Sequence, residues 1–211
     1  MQASWTVDDV RHGYRGRVVA IGGPKHSGKS VFISTLYQQL LAHHPNEVFR
    51  EAACPDGEGM WSAESDPAIV AKIRQKGQFS PEFVNHTLSS IESLGKRFPL
   101  LLVDLGGLRT AENAEILKRC THLIILSSVP AEIILWQQFA ASEGCETIAC
   151  LDSVQIKLES CELDDSVRST VDTMTLPVTG QLFNLDREGS SDTYQAAVNR
   201  LAHWLWDVSM Q

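Results

Sequence analysis

Val18-Val19-Ala20-Ile21-Gly22-Gly23-Pro24-Lys25-His26-Ser27-Gly28-Lys29-Ser30-Val31 is the stretch on which the reading of this chain turns. From Gly23 to Ser30 it matches the pattern G-x-x-x-x-G-K-[ST], and an apolar run with strand character stands directly before it. With ordinary residue usage, four fixed positions coincide in roughly one chain in a hundred of this size, so the surroundings have to agree as well. They do. Residues 30–41 place Phe32, Leu36 and Leu40 on one helical face, which supplies the helix the pattern requires. In such a strand-turn-helix, Gly23 and Gly28 let backbone N–H groups converge on an anion at a helix start, where the dipole also favours negative charge. The loop residues Gly23, Pro24, Lys25, His26, Ser27, Gly28, Lys29, Ser30 and Val31 are therefore the expected nucleotide contacts. Lys29 is expected to reach the β- and γ-phosphates as a catalytic charge, and the Ser30 hydroxyl to ligate magnesium (Mg2+). His26 occupies a variable position and is expected to contribute backbone only. The plainer alternative is a glycine-rich turn with a solvated lysine.

A second motif, Phe98-Pro99-Leu100-Leu101-Leu102-Val103-Asp104-Leu105-Gly106-Gly107, narrows that choice. An apolar strand ending in Asp carries a carboxylate to the edge of the sheet where the phosphate loop lies, so Asp104 is the expected second magnesium ligand. Gly106 and Gly107 can bring backbone N–H groups to a terminal phosphate, and Arg109 is a candidate sensor of that phosphate. No glutamate follows Asp104 directly, which departs from ATPases whose catalytic glutamate stands there. The Asp-x-Gly-Gly ending resembles instead the phosphate-loop group that includes dethiobiotin synthetase and the partitioning ATPases.

The remainder of the 211 residues supports one α/β domain. Strands are expected at 17–22, 48–53, 99–104, 122–126, 147–151 and 178–183. Helices are expected at 29–42, 66–76, 80–95, 111–119, 131–142, 165–174 and 191–208. This alternation predicts a three-layer phosphate-loop NTPase fold, a mostly parallel central sheet flanked by helices, over residues 17–211, with 1–16 as an N-terminal extension. The formal net charge of -8 argues against a broad nucleic-acid surface. No signal peptide or apolar span is read, which points to the cytoplasm and to no membrane partner. Five cysteines without a C-x-x-C pair read as reduced thiols, most of them small core residues.

Other candidates carry both a functional and a plain reading. Asp56 and Glu58, in Cys54-Pro55-Asp56-Gly57-Glu58-Gly59-Met60-Trp61-Ser62, stand where an acidic residue deprotonates an acceptor hydroxyl in many phosphate-loop kinases or supports magnesium from behind its direct ligands, but the segment equally suits an exposed turn. Lys72, Arg74 and Lys76 form either a phosphate-closing lid or a solvated face. His43 and His44 at a helix end have no matched ligands for a metal. Along the last helix, Tyr194, Val198, Leu201, Leu205 and Val208 form a core-facing stripe. Trp204 and Trp206 cannot both share it, and one is a candidate partner surface. After the fifth strand, Cys150-Leu151-Asp152-Ser153 lacks the Asn-Lys-x-Asp guanine reader, which leaves ATP as the nucleotide.

Taken with Ala111-Glu112-Asn113-Ala114-Glu115-Ile116-Leu117 and Cys120-Thr121-His122-Leu123-Ile124-Ile125-Leu126, these motifs resemble the AAA-labelled ATPase-like domain joined to a CRISPR-associated ring nuclease of type III systems. The likeness runs over residues 17–152. It implies a module of antiviral defence, with a ring-nuclease domain or subunit and cyclic oligoadenylate as partners, and leaves the oligomeric state open, a homo-oligomer included. The messenger-degrading chemistry of that family belongs to the separate nuclease domain, so only Gly23, Gly28, Lys29, Ser30 and Asp104 carry over. Three functions stand side by side: a slow magnesium-dependent ATPase coupled to a partner, a kinase using Asp56 or Glu58, and a nucleotide-responsive scaffold without turnover.

Overall fold

Strands that read as unbroken aliphatic runs belong in the middle of a parallel sheet, where helices cover both faces and leave no polar side. The computed structural model, which describes residues 12–54, 79–155, 167–185 and 191–210, places three of them there. β1 (Arg17–Gly22), β3 (Leu100–Leu105) and β4 (His122–Ser127) are buried at every residue. With β2 (Val48–Ala53), β5 (Glu146–Val154), β6 (Thr170–Asp172) and β7 (Val178–Phe183) they form a seven-stranded sheet in the order β2-β3-β1-β4-β5-β7-β6. Every pairing is parallel except the antiparallel β6–β7.

Strand residues alternate between two cores. Val19, Ile21, Leu100, Leu102, Ile124 and Leu126 face α1 (Lys29–His43) and α5 (Asp192–Ser209), which contribute Phe32, Leu36, Leu40, Val198, Leu201 and Leu205. Each such buried side chain contributes about 1.5–3 kcal/mol. On the other face, Val18, Ala20, Leu101, Val103, Leu123 and Ile125 meet Ile91 of α2 (Pro81–Arg97), Ile116 of α3 (Ala111–Leu117) and Trp136 and Ala140 of α4 (Pro130–Ser142). The result is the three-layer α/β architecture expected from the alternation. Residues ahead of β1 pack onto it as well: Arg15 N–H donates to the Gly95 carbonyl at 2.9 Å, and Tyr14 Oη to that of Arg119 at 3.0 Å.

Two expectations change. Residues 167–174 are not helical: β6 pairs with β7 through Val171, which is buried between exposed neighbours. Thr170 and Val171 are β-branched, and Ser169 Oγ accepts from Phe183 N–H at 3.0 Å, so sheet pairing outweighs the weak helical pattern. β5 also runs on to Val154, because Asp152, Ser153 and Val154 pair with Gln181, Leu182 and Phe183, so Asp152 and Ser153 lie within the strand rather than after it. The expected helix at 66–76, with Lys72, Arg74 and Lys76, lies outside the described residues.

The helix that ends the chain carries its stripe as expected, with Tyr194, Val198, Leu201 and Leu205 buried. Trp204 and Trp206 flank it, both half-buried against the same core. His44, the residue that closes α1, stacks on the Trp206 ring at 3.6 Å between centroids and 13° between planes, so this tryptophan is partly covered by its own chain. Cys120, Cys145 and Cys150 are free thiols. Burial holds Cys120 and Cys145 far above the ordinary thiol range and, with Asp152 nearby, pushes Cys150 up to about 11. Such thiols stay protonated and do not serve as nucleophiles.

Candidate nucleotide site

β1 lies between β3 and β4, and its carboxyl end is the point where the strand order reverses, the crevice in which open α/β sheets take ligands. The loop leaving β1 fits there only through glycine. Gly23 has φ 137°, and a Cβ on it would lie 2.0 Å from the Leu126 carbonyl oxygen at the end of β4. Gly28 has φ 83° and starts α1, whose first hydrogen bond runs from Phe32 N–H to the Gly28 carbonyl at 3.0 Å. Leu185, beyond β7, rests on the Gly28 backbone and closes that side of the loop.

The start of α1 differs from those of the other described helices. Ser80, Thr110 and Ser191 cap α2, α3 and α5 with their hydroxyls, and Glu82, Glu112 and Asp192 follow in the first turns; α4 lacks a side-chain cap but has Glu132. α1 alone has neither a capping side chain nor an acid in its first turn. Its leading N–H groups and dipole are left for an external anion. Lys29 is buried and donates from Nζ to the Pro24 carbonyl at 2.7 Å, so the cation lies across its own loop. Ser27 is 3% exposed, and its hydroxyl has no hydrogen-bond partner among the described residues. Ser30 stands in the first turn of α1, Val31 packs against the core, and Lys25 and His26 are exposed. His26 sits at φ 62°.

β3 brings the second motif alongside. Asp104 pairs in register with Ile21, two residues before Gly23, and shares its sheet face with Leu102 on the α1 side. It is 7% exposed, and its Oδ2 accepts from Arg50 Nη2 of β2 at 2.8 Å. Gly107 lies against the phosphate loop, since a Cβ there would come within 2.7 Å of Lys25 N. Gly106 sits beside Cys54, Phe79 and Asn113. Asn113, fully buried, donates from Nδ2 to the carbonyls of Gly106 at 3.3 Å and Leu108 at 2.6 Å, which fixes the shape of the loop. Arg109 turns to α4, where it pairs with Glu132 and its guanidinium lies 5.8 Å from the Trp136 ring centroid. Reaching a phosphate requires that pair to open.

The structure thus brings Gly23 to Val31, Asp104 and Gly107 to one edge, holds Arg109 on α4, and leaves Asp56 and Glu58 outside the described residues. Among the described residues no cluster of three or more His, Cys, Asp or Glu is placed to hold a metal. Ser30 and Asp104, the two residues expected from the sequence to ligate magnesium, offer a hydroxyl and a carboxylate, oxygen donors of the hard type that ion takes. Arg50 and Asn113 are the residues sequence reasoning passed over. A charged residue inside a half-buried strand demands a partner, which was a signal for Arg50. For Asn113 the spacing from Thr110 marks a helix start, but nothing in it foretells the carbonyls the amide would hold.

The fold and loop together define a phosphate-loop NTPase fold. No protein-family model matches the chain, and no curated protein matches it. Among solved structures it is similar to cobyrinic acid a,c-diamide synthase from Mycobacterium smegmatis with bound ADP and magnesium, at 10% identity over 90% of this chain and 94% of that one, TM-score 0.59. It is similar also to a plasmid partition protein from Borrelia burgdorferi, at 10% identity over 91% of this chain and 99% of that one, TM-score 0.55. The cell division ATPase MinD from Pyrococcus furiosus matches at 13% identity over 65% and 72%, TM-score 0.49. At 10% identity, the first two likenesses show the fold alone.

Proposed function

We propose that this chain is a magnesium-dependent ATP-binding protein of the phosphate-loop class that hydrolyses ATP slowly and passes its nucleotide state to a partner. The observation that carries the reading is the bare N-terminus of α1, set behind Gly23–Ser30 with a buried lysine and an unpaired serine hydroxyl in the same loop. The buried Ser27 hydroxyl costs stability unless a ligand accepts from it. The loop amides and Ser27 bind phosphate oxygens, Lys29 exchanges the Pro24 carbonyl for the β- and γ-phosphates, and Gly107 closes the loop from the β3 side. Ser30 and Asp104 would hold magnesium, which when bound offsets the charge that develops on the transferred phosphoryl group. A neighbouring fold crystallised with ADP and magnesium supports the choice of ligand. ATP is preferred because the guanine-reading motif is missing from the sequence after β5.

The finer assignment, an accessory module of type III antiviral signalling in the cytoplasm, rests on the resemblance of the motifs quoted above, and the free thiols Cys120, Cys145 and Cys150 fit a reducing compartment. Transfer to a hydroxyl acceptor would need Asp56 or Glu58 at the site. Radiolabelled γ-phosphate separates the two chemistries: label released as inorganic phosphate marks hydrolysis, label on an added nucleoside or small molecule marks the kinase. For binding itself, thermal melting with magnesium ATP at a hundredfold excess over Kd should raise the parent by roughly 5–10 °C and leave Lys29→Ala unmoved. Equal shifts in both proteins would remove Lys29 from the site and the reading with it.

A further inference from the structure

Asp104, the residue set to hold magnesium, already has a cation. Arg50 and Asp104 lie on the same face of neighbouring strands, one step apart along the register, since Arg50 pairs with Leu102 and Ala52 with Asp104. Their 2.8 Å contact joins side chains only 13% and 10% exposed, so solvent and salt screen it weakly. A guanidinium this close to a carboxylate cancels much of the field that would draw a divalent ion. It also offsets the charge of a carboxylate held in a largely dehydrated place.

We propose that Arg50 is a built-in counter-ion that makes magnesium binding at Asp104 conditional on the nucleotide. With the site empty, Arg50 satisfies Asp104, and free magnesium gains too little to enter. A bound polyphosphate adds negative charge of its own, which shifts that balance, and Ser30 and Asp104 would then hold the ion. Arg50 is thus a positioning and gating residue that acts through Asp104 and touches no reacting atom. Magnesium then enters with the nucleotide and not ahead of it. The proposal rests on the reading of Asp104 as a metal ligand given above, but it is tested without ATP.

The test is thermal melting of nucleotide-free protein titrated with magnesium chloride, with sodium chloride at matched ionic strength as the control. The parent should respond equally to both salts. Arg50→Met should melt lower than the parent in sodium and recover selectively in magnesium, while Arg50→Lys, which keeps the charge, should behave as the parent does. In the double variant Arg50→Met, Asp104→Asn the selective recovery should vanish. With ADP present, the magnesium concentration giving half the stabilisation should fall about tenfold or more in Arg50→Met relative to the parent. If Arg50→Met does not fold, Arg50→Gln retains a donor for Asp104 and removes the charge, and gives the same comparison. A charge-neutral variant that folds yet shows no preference for magnesium over sodium overturns the proposal, as does a preference that survives Asp104→Asn. Failure of the parent to bind ATP would leave these magnesium results standing, so the two readings fail separately.

Discussion

Ser27 carries a hydroxyl that folding has buried without a partner among the described residues, and that mismatch has a sign. Removing an unsatisfied buried polar group does not weaken a fold, and removing a phosphate ligand does weaken binding. Ser27→Ala should therefore leave the nucleotide-free melting temperature unchanged or slightly higher while reducing the shift produced by magnesium ATP, measured in the same scan. Gly107 makes the opposite case. A methyl group there meets the Lys25 backbone at 2.7 Å, and backbone cannot swing aside as a side-chain tip does. Gly107→Ala should push the two loops apart, cost about 1–3 kcal/mol in urea unfolding and weaken nucleotide binding together.

Between β3 and α3 the chain turns through a loop whose shape depends on one side chain. Asn113 is held at the helix start by the Thr110 cap, which accepts from its N–H at 3.3 Å, and from there its amide reaches back to two loop carbonyls. Asn113→Ala should cost about 1–3 kcal/mol in urea unfolding, because it strands the buried Gly106 carbonyl and removes the bond to the Leu108 carbonyl. It should also lower the nucleotide-induced melting shift, because Gly107 then loses its seat on Lys25. An Asn113→Asp variant keeps the size but not the donor and should resemble alanine. At this scale the sequence was readable where a signal is local. Strands 17–22, 48–53 and 178–183 were placed to the residue, and Ser80-Pro81 and Ser191 open their helices through side-chain caps. β6 was not readable, since three residues gain strand character only from a neighbour, β7, that lies across the hairpin.

Across the whole molecule, acid should act through His122. It begins β4 at the sheet end opposite the phosphate loop, is 2% exposed, and its Nδ1 lies 2.8 Å from Thr121 Oγ1. Burial first, and the Arg17 charge second, press its pKa down to about 3. The unfolded chain takes up a proton near pH 6.5, and the folded one does so only near 3, so stability is fully present above about pH 7 and is lost as pH falls through that window. At pH 5 the loss attributable to this one group is about 2 kcal/mol. Urea midpoints for the parent should drop between pH 7.5 and 5.0, and His122→Gln should flatten that part of the profile. An unchanged slope in the variant would assign the acid sensitivity to other groups.

Sequence alone determined the features whose causes lie within a few residues: the aliphatic central strands, the glycine turn that opens α1, and the carboxylate at the end of β3. Short-range sterics and the buried-strand pattern suffice for these. Only the tertiary structure decided which cation Asp104 meets, which carbonyls Asn113 holds, that Arg109 turns to Glu132, and that His44 covers Trp206. Each of those contacts joins elements brought together by sheet order and register, and no local propensity encodes which partner the pairing will deliver.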